Sequence, residues 1–258
     1  MSALTLEIPV LVALALLVFS ASYVQSVAGF ALGMMTMAVA GGFGWVPIPV
    51  LAATVSLLSL VNVLISLRRP GSAIDRPMLG WLLLGQLPAI GLGVALLAVL
   101  SSGAVNVLKL LLGLFITGAS ASLLMRPRLL SVRTGPAATA ACGALGGFVG
   151  GLFAASGPVI GWHGYRQPLS FEVIRATLLA VFGLTTLVRT LIVAIRGELT
   201  MAVWTLFALL LPMVVLGSLI GARYRPPIAE DQLKRAVFAL LLAIGLWIFA
   251  DSALRYLP

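Results

Sequence analysis

Apolar residues along this chain gather in runs of about twenty that do not alternate with polar ones. Six runs are clean: 46–67, 78–100, 104–125, 171–195, 201–222 and 233–250. At 1.5 Å rise per residue each spans a hydrocarbon core of about 30 Å. Asp75-Arg76-Pro77 and Ser170 mark helix starts, and Pro226-Pro227 separates the last two runs. Lipid admits only helices or closed barrels, and non-alternating runs are not barrel strands. The pattern therefore predicts an all-α polytopic membrane protein.

Two further regions, 8–45 and 136–168, are each too long for one span and too rich in glycine and polar residues for two clean ones. Each reads as a broken or re-entrant helical hairpin. Counting each hairpin as one segment gives about eight membrane segments in two repeats of four, at 1–130 and 131–258. The order of features repeats: Ala28-Gly29-Phe30 matches Ser156-Gly157-Pro158, and Val50 to Thr54 matches Val173 to Thr177. Leu87-Pro88 matches Leu211-Pro212, and Gly93 matches Gly217.

Composition changes the picture little. The 258 residues are 61% hydrophobic and 9% charged, with a mean hydropathy of +1.17; a soluble domain carries about a quarter charged residues. The net charge of +9 would suggest nucleic acid in a soluble protein. Here the basic residues sit in short connections, as orientation signals do, so no nucleic-acid partner is expected. Cys142 is the only cysteine, which excludes an internal disulfide or a thiolate metal site; no metal or cofactor is expected. The run at 8–24 lacks a basic leader and reads as a retained first membrane segment.

Arg68, Arg69 and Arg76 lie in one connection and Arg126, Arg128 and Arg133 in another, with an uncharged turn at Ser101-Ser102-Gly103 between them. Both basic connections are expected in the cytoplasm. If 136–168 returns to its starting side, the basic loop at Arg223, Arg225, Lys234 and Arg235 is cytoplasmic too. The charge bias then favours inverted repeats with both termini outside, over eight simple spans.

Gln25-Ser26-Val27-Ala28-Gly29-Phe30 followed by Gly33, and Gly151-Leu152-Phe153-Ala154-Ala155-Ser156-Gly157-Pro158 followed by Arg175-Ala176-Thr177-Leu178, resemble the two signatures of the sulfite exporter TauE/SafE family. Ala31-Leu32 departs from the Gly-Phe that many members carry there. The resemblance implies ATP-independent transport of sulfite, a sulfonate, sulfoacetate or a similar anion, in a multi-pass protein of the cell inner membrane. A proton or sodium ion as coupling ion and a homo-oligomeric assembly are both compatible with it.

An oxyanion crossing lipid needs hydrogen-bond donors and positive field near the midplane, and interrupted helices supply both. The candidate binding residues are Gln25, Ser26, Ala28, Gly29, Ser156, Gly157, Pro158, Arg175 and Thr177. Gly29 and Gly157 would let the backbone approach the ligand, whereas Gly146, Gly147, Gly150 and Gly151 read as helix-crossing residues. Arg175 and Arg189 share one helical face about 21 Å apart. Each either faces a partner or cavity, or snorkels to headgroups. Asn62 and Gln86 are further pathway candidates. His163, the only histidine, either couples protons or sits at the interface beside Trp162 and Tyr165.

Two other functions compete. An anion channel could share the architecture. An intramembrane protease would need a base on a separate helix facing Ser156, and His163 is seven residues along the same segment. A transporter rather than an enzyme is expected; with no GxxxxGK[ST] loop, ATP-driven transport would require another subunit, and the carboxylates are too few and too peripheral for a proton relay of paired acids.

Overall fold

The computed structural model describes residues 7–67, 73–125, 129–224 and 230–254, and these are helical with no strand among them. The elements are α1 Ile8–Ala28, α2 Leu32–Thr36 continued by a π-helical turn Met37–Gly41, α3 Ile48–Leu67, α4 Arg76–Gly103 and α5 Val105–Leu124. They continue as α6 Pro136–Phe153, α7 Gly157–Tyr165, α8 Phe171–Ile195, α9 Met201–Arg223 and α10 Glu230–Leu254. Seven of these helices (α1, α3, α4, α5, α6, α8 and α9) are long and apolar enough to cross a membrane, and Phe238–Leu254 of α10 is a shorter apolar stretch. Arg68, Arg69, Arg126, Arg128, Arg225 and Pro226-Pro227 lie outside the described residues.

The surface is apolar and the interior holds the polar groups. Leu16, Leu92, Leu114, Leu191 and Leu209 are exposed, while Asn62, Gln86, Arg175 and Arg189 are buried. That inversion suits a lipid solvent, where Leu costs nothing outside and a charge must turn inward.

Glycine seams set how the helices run. A Cβ on Gly85 or Gly93 of α4 would collide with the Ala140 or Phe148 carbonyl of α6, and one on Gly143 or Gly151 would strike Leu82 or Ile90. Positions rise together, so α4 and α6 are parallel. Gly217 against Phe19 and Gly221 against Tyr23 make α9 and α1 parallel in the same way. Gly113 instead meets Phe249 while Gly245 meets Thr117, so α5 and α10 are antiparallel. So are α3 and α8, where Gly183 meets Val63 and Arg189 meets Ala52. Backbones that approach this closely replace the hydrophobic drive that is missing between helices in lipid.

Both long polar regions are broken helices. α1 ends at Gly29, whose φ of 83° is left-handed, and α6 ends at Ala154 with a φ of 53°. The left-handed cap residues of the two breaks are thus Gly29 and Ala154; alanine in such a cap leaves no mark in the sequence. Gly157 lies instead in the first turn of α7. The predicted start of α4 holds: the Met78 N–H donates to Asp75 Oδ1 at 2.9 Å, a cap that satisfies one of the orphan donors of the first turn.

Candidate functional site

The two breaks lie against each other. A Cβ on Gly33 would overlap the carbonyl oxygen of Ala154, so α2 crosses the end of α6 with no side chain between. Beside this crossing is a cavity of about 30 Å³, lined by Gln25, Ala31, Gly33, Met34, Ser59, Gln86 and Ile90 and by Gly147, Gly150, Ala154, Ala155, Ser156 and Gly157. Phe182, Thr185, Thr186 and Arg189 of α8 complete the wall. The space holds a water or two.

Arg189 is 3% exposed. Its Nε donates to Gly151 O at 3.1 Å, and its Nη1 to Ala52 O at 3.1 Å and Ser56 Oγ at 2.7 Å. These bonds tie α8 to α6 and α3 and fix the guanidinium plane. Among the described residues Nη2 has no partner, nor have Gln25 Nε2 and both side-chain polar atoms of Gln86. Gln25 is fixed by its other end, since the Leu32 N–H donates to Oε1 at 3.0 Å and so anchors the start of α2. Ser156, the residue before α7, also lines the wall. Three residues of the wall thus carry buried donors without a partner among the described residues, and each unmet one costs about 1–3 kcal/mol, more when charged.

The structure places the sequence candidates in three groups. Gln25, Ser156, Gly157, Gln86 and Arg189 line this cavity. The close approach of Gly157 is to a side chain, though: a Cβ there would lie 3.0 Å from Phe30 Cβ. Gly147 packs on the Gln86 backbone, a helix crossing as expected.

The second group stands outside the cavity on the α1 break. Arg175 is 1% exposed, and its Nε donates to Ser26 O at 2.7 Å. It does not snorkel, and its backbone packs on Gly29. Ala28 O accepts from the Tyr165 hydroxyl. Ser26 Oγ lies 2.8 Å from Ser66 Oγ, and Asn62 Nδ2 donates to Ser22 O, Ser26 Oγ and Ser218 Oγ. Pro158 is buried in the first turn of α7.

A third group is at the end where α4 begins. Thr177 Oγ1 donates to Val173 O at 2.7 Å and accepts from the Asp75 N–H at 2.9 Å. His163 is buried and lines a second cavity of about 120 Å³ with Asp75, Arg133, Thr134 and Gln167. Arg133 Nη2 and Asp75 Oδ2 form an ion pair at 2.9 Å across its mouth. Ser156 and His163 therefore line different cavities.

Ser59 and Thr186 are wall residues that sequence reasoning passed over. Thr186 adjoins Thr185, which lies four residues from Arg189 and so on the same face of α8; that shared face is a signal for the α8 side of the wall alone. Among the described residues no group of His, Cys, Asp and Glu is placed to hold a metal.

Comparison with known proteins agrees with the resemblance in the signatures. The profile of the family described as "Sulfite exporter TauE/SafE" matches residues 14–248. A protein of Cupriavidus necator described as "Probable sulfite/organosulfonate exporter TauE" is 37% identical over 235 residues, covering 91% of this chain and 92% of the relative. No solved structure matches.

Proposed function

The chain belongs to the TauE/SafE family of sulfite exporters, and from that premise we propose that it is a secondary transporter moving sulfite, a sulfonate, sulfoacetate or a similar small anion across the cell inner membrane without ATP. The observation that carries this reading is the buried cavity lined by Arg189, Gln86 and Gln25, whose Nη2, side-chain amide atoms and Nε2 respectively have no partner among the described residues. A sulfur oxyanion offers three acceptor oxygens to just such donors. The first turn of α7 opens on the same space and adds the positive end of a helix dipole.

The architecture proposed for transport is two inverted repeats, 1–130 and 131–258, each a re-entrant hairpin followed by three spans. Inversion is supported by the seams: α1 lies on α9 as α6 lies on α4, while α5 and α10, and α3 and α8, meet antiparallel. A two-fold that exchanges antiparallel helices lies across them, in the membrane plane. The hairpin reading of α6–α7 is supported by its ends, since Leu130 N–H donates to Arg166 O and Gln167 bonds Thr134. The Asp75–Arg133 pair joins the two basic connections on one side, the cytoplasmic one by their charge. Both termini then lie outside. Rocking one repeat on the other about the Gly33–Ala154 crossing would open the cavity to either side in turn.

Proteoliposomes holding the purified chain test the proposal. Labelled sulfite or methanesulfonate should move without ATP at rates that saturate, and imposed proton or sodium gradients should reveal the coupling ion. Linear rates with large unitary currents would mean a channel and overturn it.

A further inference from the structure

We propose that the cavity selects singly charged anions, binding hydrogen sulfite and simple monosulfonates and excluding doubly charged sulfite, sulfate and, among the substrates named above, sulfoacetate. The inference rests on the site reading above and adds the charge state of its ligand.

Among the described residues, Arg189 is the only ionisable one in the cavity wall. The wall and contact residues around it are neutral: Ser56 and Ser59 from α3, Gln86 from α4, glycines from α6 and Ser156 before α7; Glu198, outside the wall, also acts electrostatically on Arg189 but is held in an ion pair by Arg196. Arg175 stands outside the wall with its Nε on Ser26 O, and His163 and Arg133 belong to the second cavity. The site therefore offers one full positive charge, and the N-terminus of α7 adds about half a charge more. A monoanion is neutralised by this field. A dianion is left with net negative charge in a buried site, which is strongly unfavourable.

Gln86 points the same way. Both of its side-chain polar atoms are buried without a partner beside the cavity, so in either amide orientation an acceptor oxygen needs a hydrogen. Fully deprotonated oxyanions have none to give. Hydrogen sulfite supplies an O–H to Gln86 Oε1, while its bare oxygens accept from Arg189 Nη2 and Gln25 Nε2. A simple sulfonate satisfies the charge but not this acceptor, so it should bind less tightly than hydrogen sulfite and more tightly than sulfate.

Calorimetric titration of the purified wild-type protein with sulfite, methanesulfonate and sulfate, between about pH 6 and about pH 8.5, tests this by proton linkage. Methanesulfonate keeps its charge, and its affinity should stay within about twofold across the range. Sulfite affinity, counted on total sulfite, should fall with the hydrogen sulfite fraction, approaching about tenfold per pH unit at the alkaline end. Sulfate should bind at least about tenfold more weakly than methanesulfonate. Sulfite affinity that is flat or rises with pH, or sulfate binding equal to methanesulfonate, overturns the proposal.

Arg189→Gln separates this failure from failure of the site. If the variant loses all three anions while the wild type takes sulfate as readily as methanesulfonate, the site stands and charge selection falls. If the variant binds them unchanged, both fall. Should Arg189→Gln not fold, the wild-type pH series still decides.

Discussion

Arg175 and Arg189 stand on the same helix, both buried, and each donates its Nε to a carbonyl two residues before the end of a broken helix, Ser26 of α1 and Gly151 of α6. Carbonyls in a last turn lack intrahelical donors, so a guanidinium is a natural partner for either. The surroundings differ. At Arg175 the packing is close enough that a Cβ on Gly29 would lie 3.3 Å from its Cα, and beside Ser26 the serine and asparagine side chains bond one another. Arg189 instead lines the small cavity, and its Nη2 has no acceptor among the described residues. Burial and a helix break are therefore insufficient to mark a binding site. What marks this one is a cavity walled by buried polar side chains, Gln25, Gln86, Ser156 and Arg189. The first arginine is a strut away from the cavity, and the second is a strut in its wall.

Four variants would break or sharpen this contrast. Gly33→Leu should have the largest effect, because even a Cβ collides with the Ala154 carbonyl where the breaks cross. Overpacking by a whole side chain costs upward of about 1–3 kcal/mol, and the yield of folded protein should collapse. Normal yield with intact binding would mean the crossing is not tight.

Asn62→Ala removes the hub of the closed cluster near Arg175. Buried hydrogen bonds between membrane helices are worth about 0.6–1.7 kcal/mol, so a steric-trap or denaturant measurement should show a stability loss of that order. Anion affinity of the folded fraction should not change, because Asn62 is not in the cavity wall.

Ser156→Ala works the other way round. Losing one neutral donor costs about 0.5–1.5 kcal/mol, or roughly two- to tenfold in affinity by titration, with little loss of stability. Equal effects on binding from Asn62→Ala and Ser156→Ala would erase the distinction between the two regions.

The smallest effect belongs to Arg133→Ala. Its ion pair with Asp75 is half open to solvent on the arginine side, and exposed pairs contribute about 0.2–1 kcal/mol. Thermal stability should fall slightly at low salt and not at high salt.

The helices were legible because lipid enforces long apolar runs; 171–195 is α8 to the residue, and α4 extends the expected 78–100 by two residues at one end and three at the other. Pro88 sits inside α4 without ending it, as neighbours in a membrane allow. Both broken regions could also be read from glycine and polar content. The register of the second break could not, because Ala154 carries its left-handed cap in place of a glycine. The two arginines were equally visible as intramembrane charges. Their different fates depend on what α1, α3, α4 and α6 bring to each, and no local pattern on α8 encodes that.

The most direct measurement is the affinity of folded Arg189→Gln and Arg175→Gln for methanesulfonate, titrated side by side against the wild type. A charge-assisted bond is worth about 1.5–3 kcal/mol, so Arg189→Gln should bind about ten- to over a hundredfold more weakly. Arg175→Gln should lose stability yet bind within about twofold of the wild type. The reverse order, or two variants with equal affinity, would contradict the placement of the anion at Arg189.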